Sequence, residues 1–143
     1  MVTTAAVEKV FGGLRKGPRG VSRDLALARA VRDGLPYAAL EHLIADGVID
    51  DHEVEAYFIP RRTLYARRQK ATLSREQSDI VVRLARTQAL ADDVFGRRDE
   101  ARAWLREPNG ALGGQPPLAL LDTEEGGRLV EAVLGRIAHG IVE

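Results

Sequence analysis

The stretch Trp104-Leu105-Arg106-Glu107-Pro108-Asn109-Gly110-Ala111-Leu112-Gly113-Gly114-Gln115-Pro116-Pro117-Leu118 constrains this chain most, because it dictates a backbone path instead of a hydrophobic period. Proline lacks an amide hydrogen and pushes the preceding residue out of the helical region, so a helix carrying Trp104 stops at Glu107. Asn109 to Gly114 supply several positions tolerant of positive φ, and Pro116-Pro117 stiffen the exit toward Leu118, Leu120 and Leu121. A path fixed this tightly shapes a surface.

Around that segment the pattern is helical throughout. Ser22 caps a helix to about Asp33, and Gly34-Leu35-Pro36 ends it and starts a second, striped by Leu40, Leu43 and Ile44 and closed by Gly47. Asp50 or Asp51 caps a third through Val54, Tyr57 and Phe58, and Ile59-Pro60 breaks it before Arg61 to Lys70. Two short helices joined by a tight turn, the second basic, follow helix-turn-helix grammar. Ser74-Arg75-Glu76-Gln77 is a capping box opening a long helix to about Phe95, with Ile80, Val81, Leu84, Ala91, Val94 and Phe95 along its apolar side. Thr123 caps a last helix with Glu124 and Glu125 in its first turn and Leu129, Val130, Val133, Leu134 and Ile137 on its buried side. No segment alternates at period two and no internal repeat occurs, which predicts an all-α fold.

With 143 residues the chain can hold one compact domain or two small ones, and 45% apolar content is that of a globular protein. Cysteine is absent, which excludes disulfides, thiolate metal sites and a cysteine nucleophile and fits a reducing cytoplasm. No apolar run approaches membrane-spanning length, and the N-terminus lacks the apolar core of a signal peptide, so a soluble cytoplasmic protein is expected. The zero net charge hides a division, with 15 Lys/Arg against 11 Asp/Glu in residues 1–91 and 6 against 10 in residues 92–143. A basic front suits a polyanion and an acidic back suits a basic cleft, although solvated helix faces account for such charges equally well. Residues 1–20 combine Gly12-Gly13, Gly17-Pro18 and Gly20 with Lys9, Arg15, Lys16 and Arg19, the composition of a flexible basic arm.

Six basic residues and no acidic one lie between Pro60 and Arg75. With Leu64 facing inward, Arg62, Tyr65 and Gln69 share an outward face flanked by Arg61 and Arg68, where arginine can pair with guanine, glutamine with adenine, and the other cations with phosphates. A second reading stays open: these arginines merely solvate an exposed helix or pair with the acidic run Glu41, Asp46, Asp50, Asp51, Glu53 and Glu55. Catalysis has no support. His42, His52 and His139 lie apart with no metal or nucleophile spacing around them, and Gly110 to Gly114 has neither the GxxxxGK(S/T) nor the GxGxxG pattern. No enzyme activity, cofactor or metal is expected.

Read in order, Trp104-Leu105, Pro108-Asn109, Ala111-Leu112-Gly113-Gly114, Pro117-Leu118, Leu120-Leu121, Thr123, Gly126, Leu134-Gly135-Arg136-Ile137 and Gly140 resemble the toxin-binding C-terminal domain of the Xre/MbcA/ParS antitoxins. Pro60-Arg61-Arg62-Thr63-Leu64, Leu73-Ser74 and Ser78-Asp79 resemble the Xre-like helix-turn-helix domain that precedes it in that family. Beyond the arm over 1–20 that composition suggests, the resemblance implies a helix-turn-helix domain with its long connecting helix over 21–95 and a toxin-binding domain over 96–143. It implies a type II antitoxin that neutralises a RES-domain toxin, an NAD-consuming or ADP-ribosyltransferase-like protein, by blocking its active site. It further implies a protein that represses its own operon and works as a homodimer within a larger toxin–antitoxin complex. The toxin contacts it implies are Asn109, Gly113 and Gly114 in the turn and Arg136, His139, Gly140, Ile141, Val142 and Glu143 at the end of the chain; the DNA contacts are Arg61, Arg62, Tyr65, Arg68 and Gln69. An ordinary frayed terminus is the competing reading of Ala138 to Glu143. The alternative for the whole chain is a stand-alone transcriptional regulator whose C-terminal part dimerises or senses a ligand, and a third is an adaptor that never touches DNA.

Overall fold

The computed structural model describes residues 2–14 and 19–140, and these build helices with no strand among them. In chain order they are α1 (Thr4–Val10), α2 (Arg23–Asp33), α3 (Tyr37–Ala45), the single turn α4 (Asp51–Glu53), α5 (Arg61–Lys70), α6 (Arg75–Phe95), α7 (Arg98–Arg106) and α8 (Glu124–Ala138). A π-helical turn (Val54–Phe58) comes after α4, and two 3-10 turns (Gly110–Leu112 and Pro117–Leu120) lie between α7 and α8. The all-α expectation holds.

α6 is the spine. Its N-terminus closes through the reciprocal Ser74/Gln77 capping box, and Gly96 in the left-handed region ends it. α1, α2, α3, α7 and α8 all pack on it. The Ser78 hydroxyl, buried on α6, donates to the Ser74 carbonyl at 2.7 Å and accepts from the Leu35 amide at 2.8 Å, which ties the α2 to α3 turn to the spine. Gly34 in that turn has φ +95° and lies so close to the Leu73 carbonyl that a Cβ would stand 2.4 Å from its oxygen. Only glycine fits there. Buried side chains from Val7 to Leu134 form one continuous apolar cluster.

The flexible arm expected over residues 1–20 is corrected for its described part. Thr3 caps α1 by accepting from the Ala6 amide at 3.1 Å, and Val7, Val10 and Phe11 are buried, Phe11 to 2% exposure. Their i, i+3, i+4 spacing turns one apolar stripe onto α6, so burial of three large side chains outweighs the freedom of the neighbouring glycines. Met1 and Arg15 to Pro18 lie outside the described residues. Leu129 also departs from expectation: it is 56% exposed on the flank of α8, while Val130, Val133 and Leu134 are buried.

Candidate nucleic-acid and partner interface

Asp50 caps α4 through a capping box, accepting from the Glu53 amide at 2.7 Å while the Glu53 carboxylate accepts from the Asp50 amide at 3.0 Å. The helix expected through Phe58 is α-helical for only one turn and then widens into the π turn, closed by the Ile59 amide donating to the Val54 carbonyl at 2.9 Å. Pro60 stands at the cap of α5, and its fixed φ sets the entry angle of the basic helix.

α5 carries no buried residue, and Thr63, Leu64 and Arg67 are its half-buried side. Arg61, Arg62, Tyr65, Arg68 and Gln69 are all exposed, Tyr65 to 68%. Both readings of the basic patch find a part in the geometry. Arg61 pairs with Glu55 at 3.1 Å, and Arg68 reaches Glu41 at 3.9 Å with its guanidinium 6.0 Å from the centre of the Tyr37 ring. Among the described residues, no ion pair engages Arg62, Arg67 or Lys70. Arg62, Tyr65 and Gln69 thus form an open strip, flanked by two arginines in exposed pairs of the kind that exchange readily for other anions. Burial holds the Tyr37 phenol above its ordinary value of 10.0, with Arg68 opposing and Glu41 and Asp51 assisting.

In the C-terminal part, α7 ends at Glu107 as the adjoining proline requires, and Trp104 packs half-buried against Phe95 at 5.7 Å between ring centres. Asn109 organises the turn: its side chain accepts from the Ala111 amide at 3.0 Å, its carbonyl from Leu112 at 3.0 Å and Gly114 at 2.8 Å, and its own amide donates to Gln115 at 3.1 Å. Gly113 and Gly114 have φ of +68° and +83°, are exposed, and have open space where a side chain would project. Leu112 and Leu118 anchor the two 3-10 turns in the core, and both turns pack on α8.

Thr123 caps α8, accepting from the Gly126 amide at 3.0 Å, and Gly126 and Gly127 press against Leu120 and Arg83. Arg136 lies half-buried in the last turn, His139 is the exposed C-cap, and Gly140 comes next with φ +75°. Ile141, Val142 and Glu143 lie outside the described residues. The five expected DNA residues therefore lie together on one helix, whereas the expected toxin residues divide between the 109–114 turn and the far end of α8.

One contact has no signature in the sequence. Arg106 on α7 grips Glu53 in α4, Nε and Nη2 each 2.8 Å from a carboxylate oxygen. The two residues stand 53 positions apart, and no local pattern links them.

His42, His52 and His139 are all exposed or half-exposed on the surface. Among the described residues no group of three or more His, Asp and Glu could hold a metal ion, and no helix is long and apolar enough to cross a membrane.

Comparison with known proteins gives two matches that together cover most of the chain. Residues 26–86 match the antitoxin Xre-like helix-turn-helix domain, and residues 90–140 match the antitoxin Xre/MbcA/ParS C-terminal toxin-binding domain. The chain is 32% identical to the antitoxin Xre of Pseudomonas putida over 121 residues, which cover 84% of this chain and 76% of that protein. It is 30% identical to the antitoxin Xre of Yersinia enterocolitica over 123 residues, covering 84% and 83%. A Sphingobium protein named as a Prs ADP-ribosylating antitoxin is 36% identical over 77 residues, 48% of each chain.

Proposed function

Because this chain belongs to the antitoxin Xre family, we propose that it neutralises a RES-domain toxin by filling that protein's dinucleotide cleft, and that it represses its own operon through α5. The match of residues 90–140 to a toxin-binding domain carries the first half of this reading. The Asn109-centred turn and the last turn of α8 are the contact elements: an exposed glycine pair lets a partner's backbone approach closely, and the segment beyond Gly140 brings the side-chain carboxylate of Glu143 to a site made for phosphates. The ADP-ribosylation in the Sphingobium relative's name supports a toxin that handles a nicotinamide dinucleotide. The chain itself performs no reaction in this scheme.

The division at residue 95/96 then separates what meets DNA from what meets the toxin. The exposed strip Arg62, Tyr65 and Gln69 reads base edges in the major groove, and Arg61 and Arg68 leave their carboxylates for phosphates. A homodimer presents two such helices to two half-sites.

Coexpression with the toxin gene beside it tests the first half. Removing Ala138 to Glu143 should leave a helical, folded chain that no longer protects cells; continued protection by the truncated chain would remove the tail from neutralisation. For the second half, Arg62→Ala should weaken binding to promoter DNA and lower the salt slope by about one while sparing the toxin. Full promoter binding by Arg62→Ala, with an unchanged slope, would rule out α5 as the reading helix. If the chain binds its promoter and no neighbouring toxin, the stand-alone regulator is the better description.

A further inference from the structure

We propose that Arg106 is a positioning residue for the DNA-reading helix, acting through Glu53, so that the reading unit extends beyond the helix-turn-helix into α7. This rests on the reading that α5 meets DNA. Arg98, Arg102 and Arg106 recur every four residues on one face of α7 and lie along the connection from Asp46 to Glu53. Arg98 joins Asp92 at 2.9 Å to Asp46 at 3.2 Å. The Arg102 guanidinium covers Gly47, where a Cβ would stand 3.5 Å from Nη1. Arg106 completes the row with its two-pronged hold on Glu53 and a third bond from Nη2 to the Val48 carbonyl at 3.1 Å.

The position of Glu53 matters because the approach to α5 starts from it. α4 is one turn, too short to hold itself, and leads straight into the π turn; only Ile59 and Pro60 separate that turn from α5. A π turn shifts the phase of the chain relative to an α-helix, so the direction in which α5 leaves depends on where the preceding turn begins. α5 is fixed by its own side chains only through half-buried Leu64 against the core and two exposed ion pairs, with no side chain fully buried. The Glu53 carboxylate, by contrast, is 12% exposed and its Arg106 partner 26%, and it caps α4 while it takes the arginine fork. A bidentate, partly desolvated pair of this kind fixes orientation in a way the exposed pairs do not. Arg106 lies outside the matched helix-turn-helix, 26–86, and inside the matched C-terminal domain, 90–140.

The test uses the full chain and a fluorescent duplex from the region upstream of its own gene, titrated across a series of salt concentrations. Arg106→Gln should weaken binding about tenfold with the salt slope of the wild type, because no phosphate contact is lost. Arg106→Lys should recover part of the loss, and Glu53→Gln, which keeps a capping oxygen and removes the charge, should reproduce it even where Arg106→Gln folds poorly. Amide exchange should quicken over Glu53 to Ile59 in Arg106→Gln and stay unchanged along α6, which a general loss of stability would not do. Binding by Glu53→Gln and Arg106→Gln within twofold of wild type, while Arg62→Ala weakens it, overturns the proposal and leaves α5 as the reading helix. A slope lowered by about one in Arg106→Gln also overturns it, making Arg106 a direct phosphate contact. If Arg62→Ala has no effect either, the reading of α5 fails and the proposal with it.

Discussion

Three glycines in α8 allow one substitution to be followed through opposite physical regimes. Gly→Ala in a helix interior gains about 1 kcal/mol from propensity alone. At Gly135 nothing lies within 4 Å of the added Cβ, so Gly135→Ala should stabilise the fold by about that 1 kcal/mol. At Gly126 the Cβ would stand 1.8 Å from the Leu120 carbonyl oxygen and 2.9 Å from its carbon. An ordinary carbon to oxygen contact is about 3.3 Å or longer, so the 3-10 turn and α8 must part by roughly 1.5 Å. That turn is held by Leu118 and Leu121, at 2% and 1% exposure, and cannot yield without opening the core.

Overpacking costs about 1–3 kcal/mol, and a clash with backbone lies at the upper end, so Gly126→Ala should lose about 2 kcal/mol net of the propensity gain. Gly127→Ala meets Arg83 Cδ at 2.9 Å, a flexible neighbour, and should fall between the two. Urea denaturation followed by circular dichroism reads all three, and thermal midpoints should shift by about 3 °C per kcal/mol. Gly126→Ala at or above wild-type stability would refute the packing argument. Because Gly126 seats the 109–121 segment on α8, the same variant should also lose toxin protection.

Phe11→Ala should cost about 3–5 kcal/mol in the same urea assay, whereas a residue in a mobile arm would cost nothing measurable. Ala71 caps α5 at φ +60°, the one described residue other than glycine with positive φ, so Ala71→Gly should stabilise the fold by about 0.5–1 kcal/mol; a loss would mean that the cap is not strained. The raised Tyr37 pKa makes the unfolded chain ionise first as pH climbs past the ordinary 10.0. Its stabilising contribution is whole below that pH and is lost above it as the folded pKa is approached, a decline that Tyr37→Phe should lessen in alkaline denaturation. Ultraviolet titration of the wild type against Tyr37→Phe should assign to Tyr37 an ionisation above its ordinary 10.0, and an ionisation at or below that value would contradict this.

Local chemistry made much of the fold legible in advance. Ser22, Asp50, Ser74 and Thr123 all cap helices through their side chains, and Pro108 ends α7, because caps and prolines act within a few residues of themselves. α1 was hidden by composition: Val7, Val10 and Phe11 carry a helical stripe, but the glycines and cations after them suggest an arm. The exposure of Leu129 comes from α8 having a buried arc that runs through Gly126, Val130, Val133 and Leu134, which spacing alone leaves free to rotate toward Leu129. Neither the π turn nor the Arg106 to Glu53 fork has a local signature. Of the site, the helix bearing Arg62, Tyr65 and Gln69 could be read from charge and breaks; which of its arginines are already paired depended on Glu41 and Glu55 in space.

α6 serves both matched regions, taking α1, α2 and α3 along its length together with α7 and α8. The described buried residues on both sides of it belong to one continuous apolar cluster. Under the proposed reading, a loss of packing at one end of α6 would loosen the other, so that degradation of the chain would let go of promoter and toxin in one event, on one clock.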